Sequence, residues 1–299
     1  MPPANASELP HSGRPVLRFA PSPNGRLHLG HALSALTGFE MARRVGGRFL
    51  LRIEDIDVTR SRPEFVEGIV RDLEWLGITW EEPFWRQSAR FAHYEAAAAK
   101  LRDAGLLYPC FASRAEILAT AAPGAIDPDG APLYPGLHRT LSADAIEQRR
   151  SRGEPYVMRI DMTAALATAA SPTQGTSLTF TAFDADLRQQ TITAQPARWG
   201  DAVIQRKDAP TSYHLSVVVD DAAQGVTHVV RGQDLLAATD MHRLLQTLLG
   251  LPAPAYHHHG LITDATGRKL SKSLKDTSLA ELGASGLTLA DVRRMIGLR

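Results

Sequence analysis

Residues 18–31 read Arg-Phe-Ala-Pro-Ser-Pro-Asn-Gly-Arg-Leu-His-Leu-Gly-His and separate two segments of different pattern. Residues 15–20 form a short apolar run that is typical of a strand, whereas apolar residues recur at helical spacing over residues 32–45. Two prolines and a glycine between them indicate a turn. The unpaired amides of the helix N-terminus would then face the space above the strand end, a position that suits phosphate.

Three residues of this stretch are candidates for nucleotide chemistry. His28 and His31 are three positions apart, so we expect them on one helical face, where they can donate hydrogen bonds to phosphate oxygens as negative charge builds up. Gly30 lacks a side chain where a flat ring or a phosphate must approach the backbone. An isolated His-x-Gly-His is nevertheless compatible with a plain strand-turn-helix junction, so the interpretation depends on the rest of the chain.

Composition limits the possible classes of protein. The 299 residues are 44% hydrophobic and 22% charged, which is typical of a globular protein of one large domain or two. No run of eighteen apolar residues suggests a membrane span. The single cysteine, Cys110, excludes an intramolecular disulfide and favours a cytoplasmic location. Residues 1–13 have the composition of a disordered tail.

The net charge of +1 gives no overall attraction to nucleic acid. A polyanion would have to bind local arginine clusters, which occur at residues 43–48, 149–152 and 293–299. Each cluster on its own is more simply interpreted as a solvated face.

Short strands alternate with amphipathic helices along both ends of the chain. Residues 48–53 form a second apolar strand, and residues 62–76 and 88–104 have helical patterns that end at glycines. A strand at 226–231 and a helix at 234–250 continue the alternation. The sequence therefore predicts an α/β fold with a doubly wound parallel sheet.

The middle of the chain has a different character. Prolines and glycines are frequent after residue 107, so we expect an inserted α+β subdomain at 108–195. It would separate the two halves of the sheet, residues 14–107 and 196–264. Residues 265–299 would form a loop and a short C-terminal helical tail.

Two further segments contain charged residues that could bind parts of a substrate. Glu54 follows the second strand, at the strand end where open α/β sheets bind ligands, and its carboxylate could hold an ammonium group. Residues 268–273 read Arg-Lys-Leu-Ser-Lys-Ser after a turn, and Lys269 and Lys272 on a mobile loop could neutralise a departing pyrophosphate. The three histidines at 257–259 are a poor metal site because side chains alternate between faces along a strand.

Together these segments resemble class I aminoacyl-tRNA synthetases of the glutamyl branch. The motifs that show the resemblance are the Arg-Phe-Ala-Pro-Ser-Pro and His-x-Gly-His run, the Arg-Ile-Glu-Asp-Ile-Asp block, the Tyr-His-Leu-x-Val-Val-Val-Asp-Asp block, the Val-Val-Arg-Gly-x-Asp-Leu block and the Lys-Leu-Ser-Lys-Ser loop. The resemblance covers residues 14–276 and implies a Rossmann-like class I synthetase fold. It is strongest to the truncated paralogues that lack an anticodon-binding region and attach glutamate to queuosine in the anticodon loop of tRNA(Asp).

The resemblance implies a site for ATP, with its Mg²⁺, and a site for L-glutamate. It assigns catalysis to His28, His31, Lys269 and Lys272, and ATP binding to His28, Gly30, His31 and Lys272. It assigns glutamate binding to Arg18, Phe19, Ala20, Pro21, Ser22, Glu54, Tyr213 and Arg231. A guanidinium can hold a side-chain carboxylate bidentately and reject the neutral amide, and Arg231 is favoured over Arg18 for this role, although the sequence leaves the choice open.

Relatives of this kind also imply a zinc site in the insertion. Their Cys-x-Cys, Tyr and Cys ligands correspond here to Cys110, Ala112, Tyr134 and His138. Because structural zinc takes four ligands and only three positions offer one, we expect no tightly bound zinc.

Three other functions remain open at this stage. The chain could be an ordinary or truncated glutamyl-tRNA synthetase that charges tRNA(Glu), a catalytically silent RNA-binding paralogue, or a nucleotidylyltransferase of the same fold. The intact histidines and lysines disfavour the second, and the Glu54, Tyr213 and Arg231 blocks disfavour the third. We expect a monomer with no membrane partner.

Overall fold

The computed structural model describes residues 13–170, 178–262 and 277–298. These residues form ten strands: β1 (Val16–Phe19), β2 (Arg48–Ile53), β3 (Glu81–Arg86), β4 (Leu107–Cys110), β5 (Val157–Ile160), β6 (Thr179–Phe183), β7 (Gln189–Thr193), β8 (Val203–Gln205), β9 (His228–Gly232) and β10 (Ala255–His259). They also form ten α-helices: α1 (Leu29–Arg44), α2 (Pro63–Trp75), α3 (Phe91–Asp103), α4 (Arg114–Thr120), α5 (Ala143–Ser151), α6 (Met162–Ala169), α7 (Tyr213–Ala223), α8 (Ala238–Leu249), α9 (Leu279–Ala284) and α10 (Leu289–Met295).

Seven of these strands form one sheet in the order β3-β2-β1-β9-β10-β6-β7. Every neighbouring pair is parallel except β6 and β7 at the edge, which are antiparallel. The chain moves outward from β1 to β3 in one direction and from β9 to β10 in the other, so the winding reverses between β1 and β9. The predicted doubly wound α/β fold is confirmed, and its reversal point is where such sheets bind ligands.

Strands β4, β5 and β8 form a separate three-stranded antiparallel sheet. This sheet combines residues inside and outside the predicted insertion. Strand β5 lies within residues 108–195, whereas β8 follows them. The β6–β7 hairpin, also within that range, extends the main sheet. The strand pairing thus does not follow the predicted segment boundaries, which stay a prediction.

Helix α1 packs directly on the main sheet, and its small residues make this possible. Ala32 and Ala35 are fully buried, and a Cβ atom on Gly38 would lie 3.3 Å from the Phe49 ring and 3.7 Å from Val230. The close contact fixes the helix over β1, β2 and β9, which positions its N-terminus at the carboxyl ends of these strands.

Several predicted boundaries differ from the observed ones. Helix α1 begins at Leu29, earlier than predicted, and His28 is its N-cap. Helix α3 begins at Phe91, because the predicted cap Ser88 donates its backbone N–H and its hydroxyl to Asp55 instead. The predicted helix at 234–250 begins later, at Ala238, after a short 3₁₀ turn. In the described parts of the chain, no helix is long and apolar enough to cross a membrane.

Candidate active site

A cleft of about 460 Å³ opens at the carboxyl ends of β1, β9 and β10, beside the N-terminus of α1. The predicted site residues that line it are Arg18, Phe19, Ala20, Pro21, Ser22, His28, Gly30, His31, Glu54, Tyr213 and Arg231. The structure therefore brings these residues together, although their individual roles stay predictions. Lys269 and Lys272 lie outside the described residues.

The two histidines of the cleft are held by the first turn of α1. The Gly30 N–H donates to His28 Nδ1 at 3.1 Å, and the His28 N–H donates to His31 Nδ1 at 3.2 Å. Because both Nδ1 atoms accept a hydrogen bond, each neutral ring carries its proton on Nε2. The ring centroids are 3.9 Å apart. His28 is the N-cap of α1 and His31 lies one turn further on, so the two rings lie on the same side of the helix start, as predicted.

Gly30 has a steric reason to be glycine. A Cβ atom at this position would lie 3.0 Å from His28 Cε1 and 3.2 Å from its Nδ1. A side chain would therefore push the ring away from its capping position. The predicted approach of a ligand ring or phosphate to Gly30 stays a prediction.

A buried ion network lies beneath the cleft. Asp221 accepts from Arg18 Nε at 3.1 Å and from Arg52 Nη1 at 2.8 Å. Arg52 also reaches Glu54 at 3.1 Å. All four side chains are nearly or fully buried, so the pairing is needed to offset the cost of desolvating the charges.

The buried ion network and its burial shift the pKa values of two of its carboxyl groups, Asp221 and Glu54. Burial alone would raise the pKa of Asp221, but Arg18 and Arg52 outweigh it and the pKa lies below its usual range. Burial raises the pKa of Glu54, opposed by Arg52 and Arg18. The Arg18 charge is therefore matched within the protein by Asp221, while Glu54 lines the cleft.

Asp220, the residue before Asp221 on α7, connects the ion network to the segment around α3. It accepts from Arg90 Nε at 2.7 Å, from Tyr94 Oη at 2.7 Å and from Gln87 Nε2 at 3.1 Å. These three donors come from the segment around α3, so helices α3 and α7 are tied together below the site.

Arg231 lies at the end of β9 and has a different environment. Its guanidinium contacts Thr239 Oγ1 at 2.7 Å, His258 Nε2 at 3.3 Å, His242 Nδ1 at 3.3 Å and Tyr213 Oη at 3.4 Å. The residue is only 5% exposed. Among the described residues, no carboxylate forms an ion pair with it. A buried guanidinium with neutral protein partners is suited to bind an anion from outside the protein.

Sequence reasoning missed several of these partners. The Arg52–Asp221 pair and the contacts of Thr239 and His242 with Arg231 join residues that are separated in sequence, so no local pattern marks them. The sequence contains one indication of the ion network. Asp220 and Asp221 follow the apolar run 217–219 of a predicted helix, and buried acids in such a position need cationic partners.

The three consecutive histidines of β10 have separate partners. His257 Nδ1 lies 2.8 Å from the Phe183 carbonyl, and His258 contacts Arg231. His259 lines the cleft, and its Nε2 lies 2.7 Å from Ser34 Oγ. The three side chains thus have different protein partners, and the expected absence of a metal site here stays a prediction.

The residues of the implied zinc site are engaged in a hydrogen-bonded cluster. The His138 N–H donates to Tyr134 Oη at 2.9 Å, and His138 Nδ1 accepts from the Phe111 N–H at 3.1 Å. Cys110 is buried against Tyr134. Within the described ranges, no three His, Cys, Asp or Glu side chains are grouped to hold a metal ion. These residues do not fit a tight zinc site, and whether zinc binds stays a prediction.

Comparison with known proteins identifies the class. Residues 16–287 match the family of class I tRNA synthetases (E and Q), catalytic domain. The chain belongs to this family of ligases, so the resemblance to its glutamyl branch is confirmed.

Among the curated relatives, the Glutamyl-Q tRNA(Asp) synthetase of Rhodobacter capsulatus is 47% identical over 290 residues, covering 95% of this chain and all of that protein (100%). The protein of the same name from Symbiobacterium thermophilum is 42% identical and covers 90% of this chain and 81% of its own length.

Full-length ligases are also similar. The glutamate–tRNA ligase of Prochlorococcus marinus is 37% identical over 91% of this chain and 55% of its own length. A crystal structure of a glutamate tRNA ligase from Elizabethkingia meningosepticum, in complex with its amino acid, aligns with a TM-score of 0.68 and 29% identity. It covers 87% of this chain, which spans about half (52%) of that ligase.

Proposed function

We propose that this protein activates L-glutamate with ATP and transfers it to queuosine in the anticodon loop of tRNA(Asp). In the first step an oxygen of the glutamate α-carboxylate forms a bond to the α-phosphorus of ATP, and the bond to pyrophosphate breaks. In the second step a nucleophilic group of the queuosine base bonds to the glutamyl carbonyl carbon and loses its proton, and the bond from that carbon to the phosphate oxygen breaks, which releases AMP. The observation that carries the proposal is Arg231, a buried cation without a protein carboxylate among the described residues, in the same cleft as the two histidines.

Arg231 is better placed than Arg18 to hold the γ-carboxylate of glutamate. Arg18 is already paired with Asp221, so its charge is largely compensated. A glutamate side chain would complete the charge-assisted hydrogen bonds of Arg231, whereas the neutral amide of glutamine would leave the cation uncompensated. Glu54 would hold the α-ammonium group from the other side of the cleft.

The N-terminus of α1 would bind the phosphates of ATP. The helix dipole favours negative charge at this end, where the Gly30 N–H itself is engaged by His28 Nδ1. His28 and His31 carry protons on Nε2 and could donate them in hydrogen bonds to phosphate oxygens as the transition state forms. Mg²⁺ would arrive as the ATP complex and neutralise phosphate charge, and Lys269 and Lys272 would assist from the loop at 268–273.

The choice of queuosine-bearing tRNA(Asp) rests on the relatives. Two of them carry the name Glutamyl-Q tRNA(Asp) synthetase and align over most of their own length, whereas the glutamate–tRNA ligases align over about half of theirs. The second candidate, charging of tRNA(Glu), is favoured by the fold shared with the glutamate tRNA ligase structure. We further propose that the protein acts as a cytoplasmic monomer.

Two assays test the proposal. Pyrophosphate exchange should require glutamate and ATP, and labelled glutamate should then attach to tRNA(Asp) that carries queuosine. The same tRNA(Asp) without queuosine, and tRNA(Glu), serve as matched controls. Glutamate transfer to tRNA(Glu) alone would establish the second candidate, and absence of glutamate-dependent exchange under all conditions would refute activation.

A further inference from the structure

The neutral groups around Arg231 form one connected set. Arg231 Nη2 donates to Thr239 Oγ1 at 2.7 Å, and the Thr239 hydroxyl can in turn donate to His258 Nε2 at 3.1 Å. His258 Nε2 and His242 Nδ1 each accept from Arg231 at 3.3 Å. Three contacts from three side chains thus determine where the guanidinium plane lies.

The protonation of this set keeps it neutral. Burial lowers the pKa of His258 to about 3, assisted by Arg231, and it lowers the pKa of His242 well below its ordinary value. His214, whose ring centroid is 5.4 Å from that of His242, has a pKa of about 4 for the same reasons. Two acids beneath the cleft, Asp221 and Glu54, are committed to Arg18 and Arg52, and Asp234 also lines the cleft.

His242 shows that the set is arranged around Arg231. Its Nδ1 faces Arg231, so the ring proton is on Nε2. This Nε2 is buried and has no hydrogen-bond partner within the described structure. A ring that only filled space would be more stable with that proton paired, so the orientation serves the acceptor at Nδ1.

We propose that Thr239, His242 and His258 are positioning residues that determine specificity for an acidic amino acid. They fix the Arg231 guanidinium through hydrogen bonds and contribute no negative charge, so the side-chain carboxylate of the substrate supplies the missing anion. This inference rests on the proposed function, since it names how the same site selects its substrate. A protein carboxylate at any of the three positions would compete with the substrate.

A pair of isosteric variants tests the charge requirement. His258→Gln keeps an acceptor near the position of Nε2, whereas His258→Glu has the same size and adds a negative charge. In glutamate-dependent pyrophosphate exchange at pH 7.5, we expect His258→Gln to retain the wild-type KM for glutamate within about 3-fold. We expect His258→Glu to raise it by about 100-fold or more, because Arg231 is then paired internally. The KM for ATP should stay unchanged in both, and equal glutamate KM values in the two variants would overturn the inference.

A second pair tests the hydrogen bonds. Thr239→Ser keeps the hydroxyl and Thr239→Val removes it with little change in volume. We expect Thr239→Val to raise the glutamate KM by about 10-fold, and Thr239→Ser to restore it, because the loss of one charge-assisted hydrogen bond is of this order. If Thr239 had only a structural role, its substitution would change the KM for ATP and the thermal midpoint along with the KM for glutamate.

The thermal midpoints of the two His258 variants, measured without ligand, test this inference independently of the proposed function. His258→Glu should unfold at a higher temperature than His258→Gln, since it gives the buried Arg231 a counterion. This comparison needs no activity, so it remains decisive even if wild-type protein shows no exchange with glutamate, which would refute the proposed function alone. A lower or equal midpoint for His258→Glu would show that Arg231 is already compensated and would overturn the inference.

Discussion

Replacing Arg231 by alanine removes the one group that we assign to the γ-carboxylate of glutamate. The guanidinium would make two hydrogen bonds to that carboxylate, each contributing about 1.5–3 kcal/mol because both partners are charged. The sum of about 3–6 kcal/mol corresponds to a loss of about 10²–10⁴-fold in kcat/KM for glutamate. Glutamine, which cannot use the charge, should lose far less.

The assay is pyrophosphate exchange measured over a range of glutamate and of glutamine concentrations. Arg231→Ala should reduce the ratio of the two kcat/KM values toward one. The fold should persist, since the substitution removes a buried cation that has no carboxylate partner in the described structure. Thermal unfolding of the variant checks this point.

Arg188→Ala is the matched control for charge. The Arg188 side chain is 77% exposed and pairs with Asp184 and Asp186 on the surface, so its removal should change kcat/KM less than about 2-fold. An Arg231→Ala protein that still discriminates against glutamine as the wild type does would refute the assignment and return the role to Arg18.

The remaining predictions concern the phosphates and stability. Lys272→Ala should slow adenylate formation in single-turnover assays by far more than it weakens glutamate binding, and the reverse order would contradict its role at the departing pyrophosphate. His28→Asn should keep the helix cap but lower kcat by about 100-fold, whereas His28→Ala should in addition lower the free energy of unfolding by about 1 kcal/mol, as measured by denaturant titration. Burial raises the pKa of Asp72 to about 6, so the folded state binds this proton more tightly than the unfolded chain and loses stability as the pH rises from about 4 to about 6. Asp72→Asn should therefore stabilise the protein by about 1 kcal/mol at pH 7.5 and by almost nothing at pH 4, and an equal gain at both pH values would contradict the raised pKa.

The sequence predicted the parallel sheet and the first strand-turn-helix unit because their hydrophobic periods are clear. It missed β3, whose Glu81–Arg86 residues are largely exposed and include a proline, so no apolar alternation marks it. It also placed the start of α1 too late, since histidine is rarely an N-cap and His28 has that role through its ring nitrogen.

The sequence identified the candidate site residues only through motifs. It did not show which of these residues form ion pairs with one another. The Arg18–Asp221 pair joins residues 203 positions apart, and such a pairing depends on how α7 packs under the sheet. The question of which arginine holds the side-chain carboxylate could not be answered from local pattern, because the answer depends on that distant counterion.

The sheet register explains why two arginines of one cleft differ in role. Arg18 on β1 aligns with Val229 on β9, and Arg231 lies two residues further along β9, so both side chains project from the same face of the sheet. Arg18 meets Asp221 of α7 and belongs to the buried ion network. Arg231 contacts neutral acceptors from α8 and β10 instead. Among the described residues, one arginine of the cleft therefore has a buried carboxylate partner and the other has neutral partners, and the second defines the charge that we expect a substrate to bring.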